Sequence, residues 1–194
     1  MRKKRVNKRK IKIVLGGVPV RLRLNLCDVD VQLKINGWRE SNPDEEMGDN
    51  WCDVKLSLNS KYLNYDPSGE MLTSGEILDL EEILGQLLEG TLEKDCTVKF
   101  IEPDLQFNLR IAKRLYDVPG KIIYRNGYVD VDIEADFVIH FWCSWGLESN
   151  AFNMYMDRQE INALYTYLRF VTGKIALDDT DIVSLIQKGM LLPE

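Results

Sequence analysis

Apolar and polar residues alternate most clearly between Cys96 and Ile111. Val98 and Phe100 alternate with Thr97 and Lys99; beyond Glu102-Pro103-Asp104, Leu105, Phe107, Leu109 and Ile111 alternate with Gln106, Asn108 and Arg110. A period of two places each set on one face of a strand, so the stretch predicts two half-buried strands around a short turn. Pro103 suits the turn, because it fixes its own φ and has no N–H for a ladder. Upstream, Val18, Val20, Leu22, Leu24 and Leu26 are in phase, whereas Val29, Val31, Leu33 and Ile35 are odd-numbered. That change of phase predicts a bulge or turn near Cys27-Asp28. Gly16-Gly17 and Asn126-Gly127 read as hairpin turns. Trp51 opens a strand in which Cys52, Val54, Leu56 and Leu58 point one way. A shorter strand around Tyr62 to Tyr65 is expected to run into a turn at Asp66-Pro67-Ser68-Gly69. A long strand is expected from Val129 to Trp145, with its second face turning apolar near Val138 and Trp142.

Helical spacing appears three times. Asp79 with Glu82 reads as a capping box for a helix burying Leu80, Ile83, Leu84, Leu87 and Leu88, closed by Gly90. Asp157 with Glu160 predicts a second, burying Ile161, Leu164, Tyr165, Leu168 and Val171 before Gly173. A short third helix is expected from Asp181 to Lys188, capped by Thr180. Strands, then a helix, then more strands and two helices predict an α+β fold, an antiparallel β-sheet or sandwich with two to three packed helices. The expected organisation is a flexible basic tail over residues 1–10, one domain over 11–173, and a C-terminal helix in 174–194 packed on it.

Charge sharpens this picture. The chain has 194 residues and a formal net charge of −6, but ten of its 25 Lys and Arg residues precede Asp28, the first acidic residue. From Asp28 onward 15 basic residues therefore face 31 acidic ones, a net charge of −16. An acidic body is repelled by nucleic-acid phosphates and attracts basic partners, which leaves only the 1–10 tail as a nucleic-acid candidate. No apolar run approaches the roughly 20 residues of a membrane helix. Cys27, Cys52, Cys96 and Cys143 are widely spaced, without a CxxC pair, and read as buried free thiols in a reducing, cytoplasmic setting, favoured over a disulfide framework or metal site.

Candidate chemistry is sparse. His140 is the only histidine, so any Ser-His or Cys-His mechanism must use it, and a structural role is favoured. Asp130, Asp132, Glu134 and Asp136 form a carboxylate stripe with neighbours roughly 6.6 Å apart along the strand. The stripe can be a solvated face that deters edge pairing, a contact for a basic partner, or a metal or glycosidase pair; the first carries most weight and the last least. Asp44, Glu45, Glu46 and Asp49, flanked by Trp38 and Trp51, have the make-up of a contact loop or of an ordinary solvated one. Neither a phosphate-binding glycine loop nor an RNA-binding aromatic signature occurs. No catalytic residue, metal ligand or cofactor is expected, and oligomeric state stays open.

Several motifs converge on one family. They are Ile35-Asn36-Gly37-Trp38 closing a strand, Asp49-Asn50-Trp51 opening the next, the helix Asp79–Glu89, and Phe100-Ile101-Glu102-Pro103-Asp104-Leu105 leading into Phe107. With a helix after an aromatic strand, residues from about Val20 to Gly173 resemble the WapI-type immunity proteins, small bacterial cytoplasmic proteins. The resemblance implies a non-enzymatic protein that binds and neutralises the toxic C-terminal domain of a cognate bacterial toxin. An acidic inhibitor would complement a basic toxin and gain fast, steered association. Asp44, Glu45, Glu46, Asp49, Trp51, Asp130, Asp132, Glu134 and Asp136 are the candidate contacts. The alternative is an α+β domain that binds a small molecule or another partner, with an enzyme ranked last.

Overall fold

The computed structural model describes residues 20–38, 51–111, 133–140 and 150–193. In chain order it has β1 (Val20–Leu26), β2 (Val29–Trp38), β3 (Trp51–Asn59), β4 (Asn64–Tyr65), β5 (Ser68–Thr73), α1 (Ser74–Glu89), β6 (Cys96–Lys99), β7 (Leu105–Ile111), β8 (Ile133–His140), β9 (Ala151–Met156), α2 (Arg158–Val171), α3 (Thr180–Gln187) and β10 (Leu191–Pro193). The strands form two antiparallel sheets. Sheet A has the order β10-β1-β2-β3-β4, with β5 also on β3, and sheet B the order β6-β7-β8-β9. This is the α+β class expected from the pattern. The tail at 1–10, the Gly16-Gly17 and Asn126-Gly127 turns, Cys143 and the outer parts of the long strand lie outside the described residues.

The phase change at Cys27-Asp28 is a tight turn, with both residues at positive φ (53° and 64°). Two residues reverse the chain, so Leu26 pairs with Val29, Leu24 with Val31 and Leu22 with Leu33, and both apolar sets meet on one face. A register shift between Ile35 and Trp38 then bends β2 against β3. Beside that shift the Ile35 N–H donates to the hydroxyl of Tyr167 at 2.9 Å. Tyr167 is fully buried on α2, so its phenol ties the helix to sheet A.

The expected turn at Asp66-Pro67-Ser68-Gly69 does not form. Leu58 pairs with Tyr65 and Lys55 with Ser68 in one continuous register, so β4 and β5 are a single edge strand interrupted at Asp66-Pro67. Proline removes a ladder donor without reversing the chain, which an edge strand tolerates. The reversal occurs earlier, where Ser60 N–H donates to the Leu63 carbonyl and the Ser60 hydroxyl accepts from Leu63 N–H.

Helix α1 also begins earlier than expected. Thr73 is its N-cap, and Glu76, not Glu82, completes the capping box. The early start adds Ile77 to the buried stripe, with Leu80, Leu84 and Leu87. Asp79 and Glu82 face outward, while Ile83 and Leu88 are only partly buried. The Asp157–Glu160 box of α2 forms as expected; in α3 the capping side chain is Asp179, not Thr180. On α2 the fully buried tyrosine is Tyr167, and Tyr165 lies half-buried with its ring against Gly85.

Helix α1 carries one buried carboxylate, Glu81, which accepts from Thr172 Oγ1 (3.0 Å) and Lys174 Nζ (2.8 Å) and so links α1 to the end of α2. The apolar faces of both sheets meet in one core with the helices. A cavity of about 10 Å³ marks the junction, lined by Leu22, Leu24, Val31 and Leu33 of sheet A, Phe107, Phe137 and Met156 of sheet B, and Leu164. The polar faces of the two sheets therefore point away from each other. Among the described residues no helix is long and apolar enough to cross a membrane.

Candidate interaction surface

The polar face of sheet B is assembled by register. Antiparallel pairing sets Arg110 opposite Glu134, and Asn108 opposite Asp136, which pairs in turn with Tyr155. Gln106 pairs with Val138, and Val138 with Asn153. Thr97 and Lys99 of β6 extend the same rows beside Asn108 and Gln106.

Arg110 is the centre of this face. Its two terminal nitrogens grip the Asp136 carboxylate, Nη2 to Oδ1 at 2.9 Å, while Nε lies 3.4 Å from Glu134 Oε2. Planar bidentate pairing fixes both side chains as well as attracting them. The Arg110 guanidinium, helped by the Asn153 and Asn108 amides, holds the Asp136 carboxyl below the usual carboxylate range against the opposing effect of burial. Reciprocally, Asp136 raises the pKa of Arg110. Asn108 Oδ1 accepts from Thr97 Oγ1 (3.1 Å) and Gln106 Nε2 (2.8 Å), so with Asp136 and Asn153 the network spans all four strands of sheet B. Tyr155 stands beside it, 40% exposed, its phenol pushed up by partial burial and by the nearby Glu134 carboxylate.

The expected contact residues divide. Glu134 and Asp136 come together around Arg110 with unequal exposure, 33% against 14% for their side chains. Trp51 is half-buried at the start of β3, in the outward phase of Asp53, and so lies on sheet A away from this face. Asp44, Glu45, Glu46, Asp49, Asp130 and Asp132 lie outside the described residues. Sequence reasoning missed Arg110, Asn108, Asn153 and Tyr155 as members of the site. The polar phase of β7 pointed to the first two, but their partners depend on register.

Other chemistry is limited in what it can do here. Burial, with the Glu76 carboxylate nearby, pushes the Cys52 thiol up to about 12, so it stays protonated and is a poor nucleophile. His140 ends β8, where its N–H donates to the Asp104 carbonyl at 2.9 Å. Among the described residues no group of three His, Cys, Asp or Glu side chains could hold a metal ion.

Next to Tyr155, two carboxyl groups share the N-terminus of α2. Asp157 Oδ1 accepts from Gln159 N–H at 2.7 Å, and Glu160 Oε2 accepts from Asp157 N–H at 3.1 Å. Burial and the Asp157 carboxyl raise Glu160 to about 7, while Asp157 itself is lowered, chiefly by its contact with Glu160. A raised acid favours the native state while protonated, so the Glu160 contribution is complete below about 4.5 and is lost as pH rises towards 7. Asp157 acts oppositely, and its contribution falls away below its ordinary value of 3.8. Glu160→Gln keeps a capping-box side chain without the charge. Urea midpoints of this variant are expected to change less between pH 4.5 and 7 than those of the wild type, with a gain in stability above pH 7.

The sequence model of the immunity protein WapI-like family matches residues 25–174. A search of curated proteins finds no match. Among solved structures, one titled "Structure of the plant transcriptional regulator PBF-2" aligns at 10% identity and a TM-score of 0.38, covering 80% of this chain and 81% of that one. A likeness at that level carries no argument about fold or function.

Proposed function

The chain belongs to the immunity protein WapI-like family, and from that membership we propose that it binds a cognate bacterial toxin domain and neutralises it without catalysis. The toxin domain is basic, and the polar face of sheet B is the docking surface. The observation that carries this choice of surface is the ordered Arg110–Asp136–Glu134 group with Tyr155 exposed at its side. Arg and Tyr are favoured at the centres of protein interfaces, and side chains already fixed lose little entropy on binding. One guanidinium against two carboxylates leaves a net negative charge on the trio, which suits a basic partner. Asp130 and Asp132 share the sequence phase of Glu134 and are proposed to extend the contact. Asp44, Glu45, Glu46, Asp49 and Trp51 are proposed as a second, separate contact.

The direct test expresses the toxic C-terminal domains encoded in the source genome, one at a time, with and without this chain. One domain is expected to arrest growth alone and to lose that effect on co-expression. Absence of protection against every such domain would overturn the proposal.

A further inference from the structure

The turn between β6 and β7 is pinned on three sides and still presents an isoleucine to solvent. Ile101 is 64% exposed. Its N–H donates to Glu76 Oε1, and the other oxygen of that carboxylate accepts from the Thr73 N–H at 2.8 Å. Before it, Phe100 is buried with its ring T-shaped against Phe107, at 6.1 Å between centroids. Beyond it, the Asp104 carbonyl accepts the His140 N–H. The backbone is thus tied to α1, to the core and to β8. Turn positions favour Gly, Asn, Asp or Ser, and among the described residues Ile101 is not part of the hydrophobic core or of the residues packed against it.

Its surroundings narrow the partner. Ile101 continues the outward phase of Thr97 and Lys99, and the Lys99–Gln106 pair is the last ladder row before the turn. It therefore stands at one end of the polar face of sheet B. Glu102 and Asp104 flank it with partly exposed carboxylates. We propose that Ile101 is an apolar anchor that enters a shallow hydrophobic pocket rimmed by Lys or Arg on the toxin domain. This rests on the immunity reading and names one contact within it. A fixed backbone means that the side chain docks without ordering a loop, so the loss on truncation appears mainly as faster dissociation.

The probe is the toxin domain against which wild-type chain protects growth, purified as a catalytically inactive variant and titrated with purified chain. Ile101→Ala is expected to weaken Kd by about 10- to 100-fold, the range for burying an aliphatic side chain of this size. Ile101→Thr keeps the branched shape and provides a second variant, expected to move in the same direction. Both should melt within about 1–2 °C of wild type, since surface changes away from special backbone sites alter stability little. Wild-type affinity in both variants would overturn the anchor and leave the immunity reading standing. A wild-type chain that binds no toxin domain would end the immunity reading and the anchor with it.

Discussion

Phe107→Ala is expected to destabilise the fold by about 3–5 kcal/mol, the range for removing a large buried aromatic. Phe107 is 3% exposed and lies at a junction where both sheets and α2 meet. Its ring stacks on Phe137 with centroids 4.8 Å apart and 4° between planes, and it is T-shaped against the ring of Phe100. The junction already holds a small cavity, of about 10 Å³. Its lining is apolar, so it offers a water no hydrogen-bond partner. Truncation enlarges that void instead of letting solvent fill it. Residues on five strands and a helix border the space, and two sheets cannot both collapse into it without losing their own pairings. Urea unfolding should show a lower midpoint with little change in slope, the signature of lost stability without altered compactness. Phe107→Leu, which leaves a smaller void, should lose clearly less. A loss under about 1 kcal/mol for the alanine variant would mean that the two sheets do not share this packing.

Tyr155→Ala is expected to weaken toxin binding by about 30-fold or more, corresponding to the ~2 kcal/mol typical of an interface hot spot. The side chain is fixed at its base, where Tyr155 pairs with Asp136, and open at its ring. Removing it takes apolar area and a hydroxyl from the face while sparing the core. Arg110→Ala should act more broadly. It leaves Asp136 with only amide partners, so the depressed carboxyl of Asp136 moves back towards its ordinary value of 3.8. A depressed carboxyl stabilises the native state above its unfolded value and loses that contribution as pH falls, so the variant should lose part of this acid-side dependence. Both partners are partly exposed, and solvent screening keeps the stability effect small. The binding effect is expected to exceed the stability effect, as in a contact residue.

Local pattern carried much of the fold into view, and non-local register carried the rest. The alternation of β7 and the capping box of α2 stand in the sequence as they stand in the structure. The start of α1 was misread because Thr73-x-x-Glu76 and Asp79-x-x-Glu82 both fit the capping pattern, and the glycine at 75 disguises the true first turn. Tyr167 was missed because α2 buries more than one stripe. It packs on α1, β1, β8, β9 and α3, so positions off the principal apolar face are covered too. The strand β9 was missed since Ala151–Met156 is short and mixes small, aromatic and sulfur-containing residues. Within the candidate site only the carboxylates were legible. Arg110 and Asp136 are 26 residues apart, and their pairing follows from strand register, which a single sequence does not display.

The measurement closest to the central claim is a titration of wild-type chain and of Tyr155→Ala and Arg110→Ala with the inactive toxin domain, at about 0.05 M and 0.5 M salt, spanning weak to strong screening. The expected result is one-to-one binding by wild type that slows in association and weakens at high salt, with affinity reduced at least about 30-fold in Tyr155→Ala. Binding equal in all three proteins and indifferent to salt would contradict both the docking face and the basic partner.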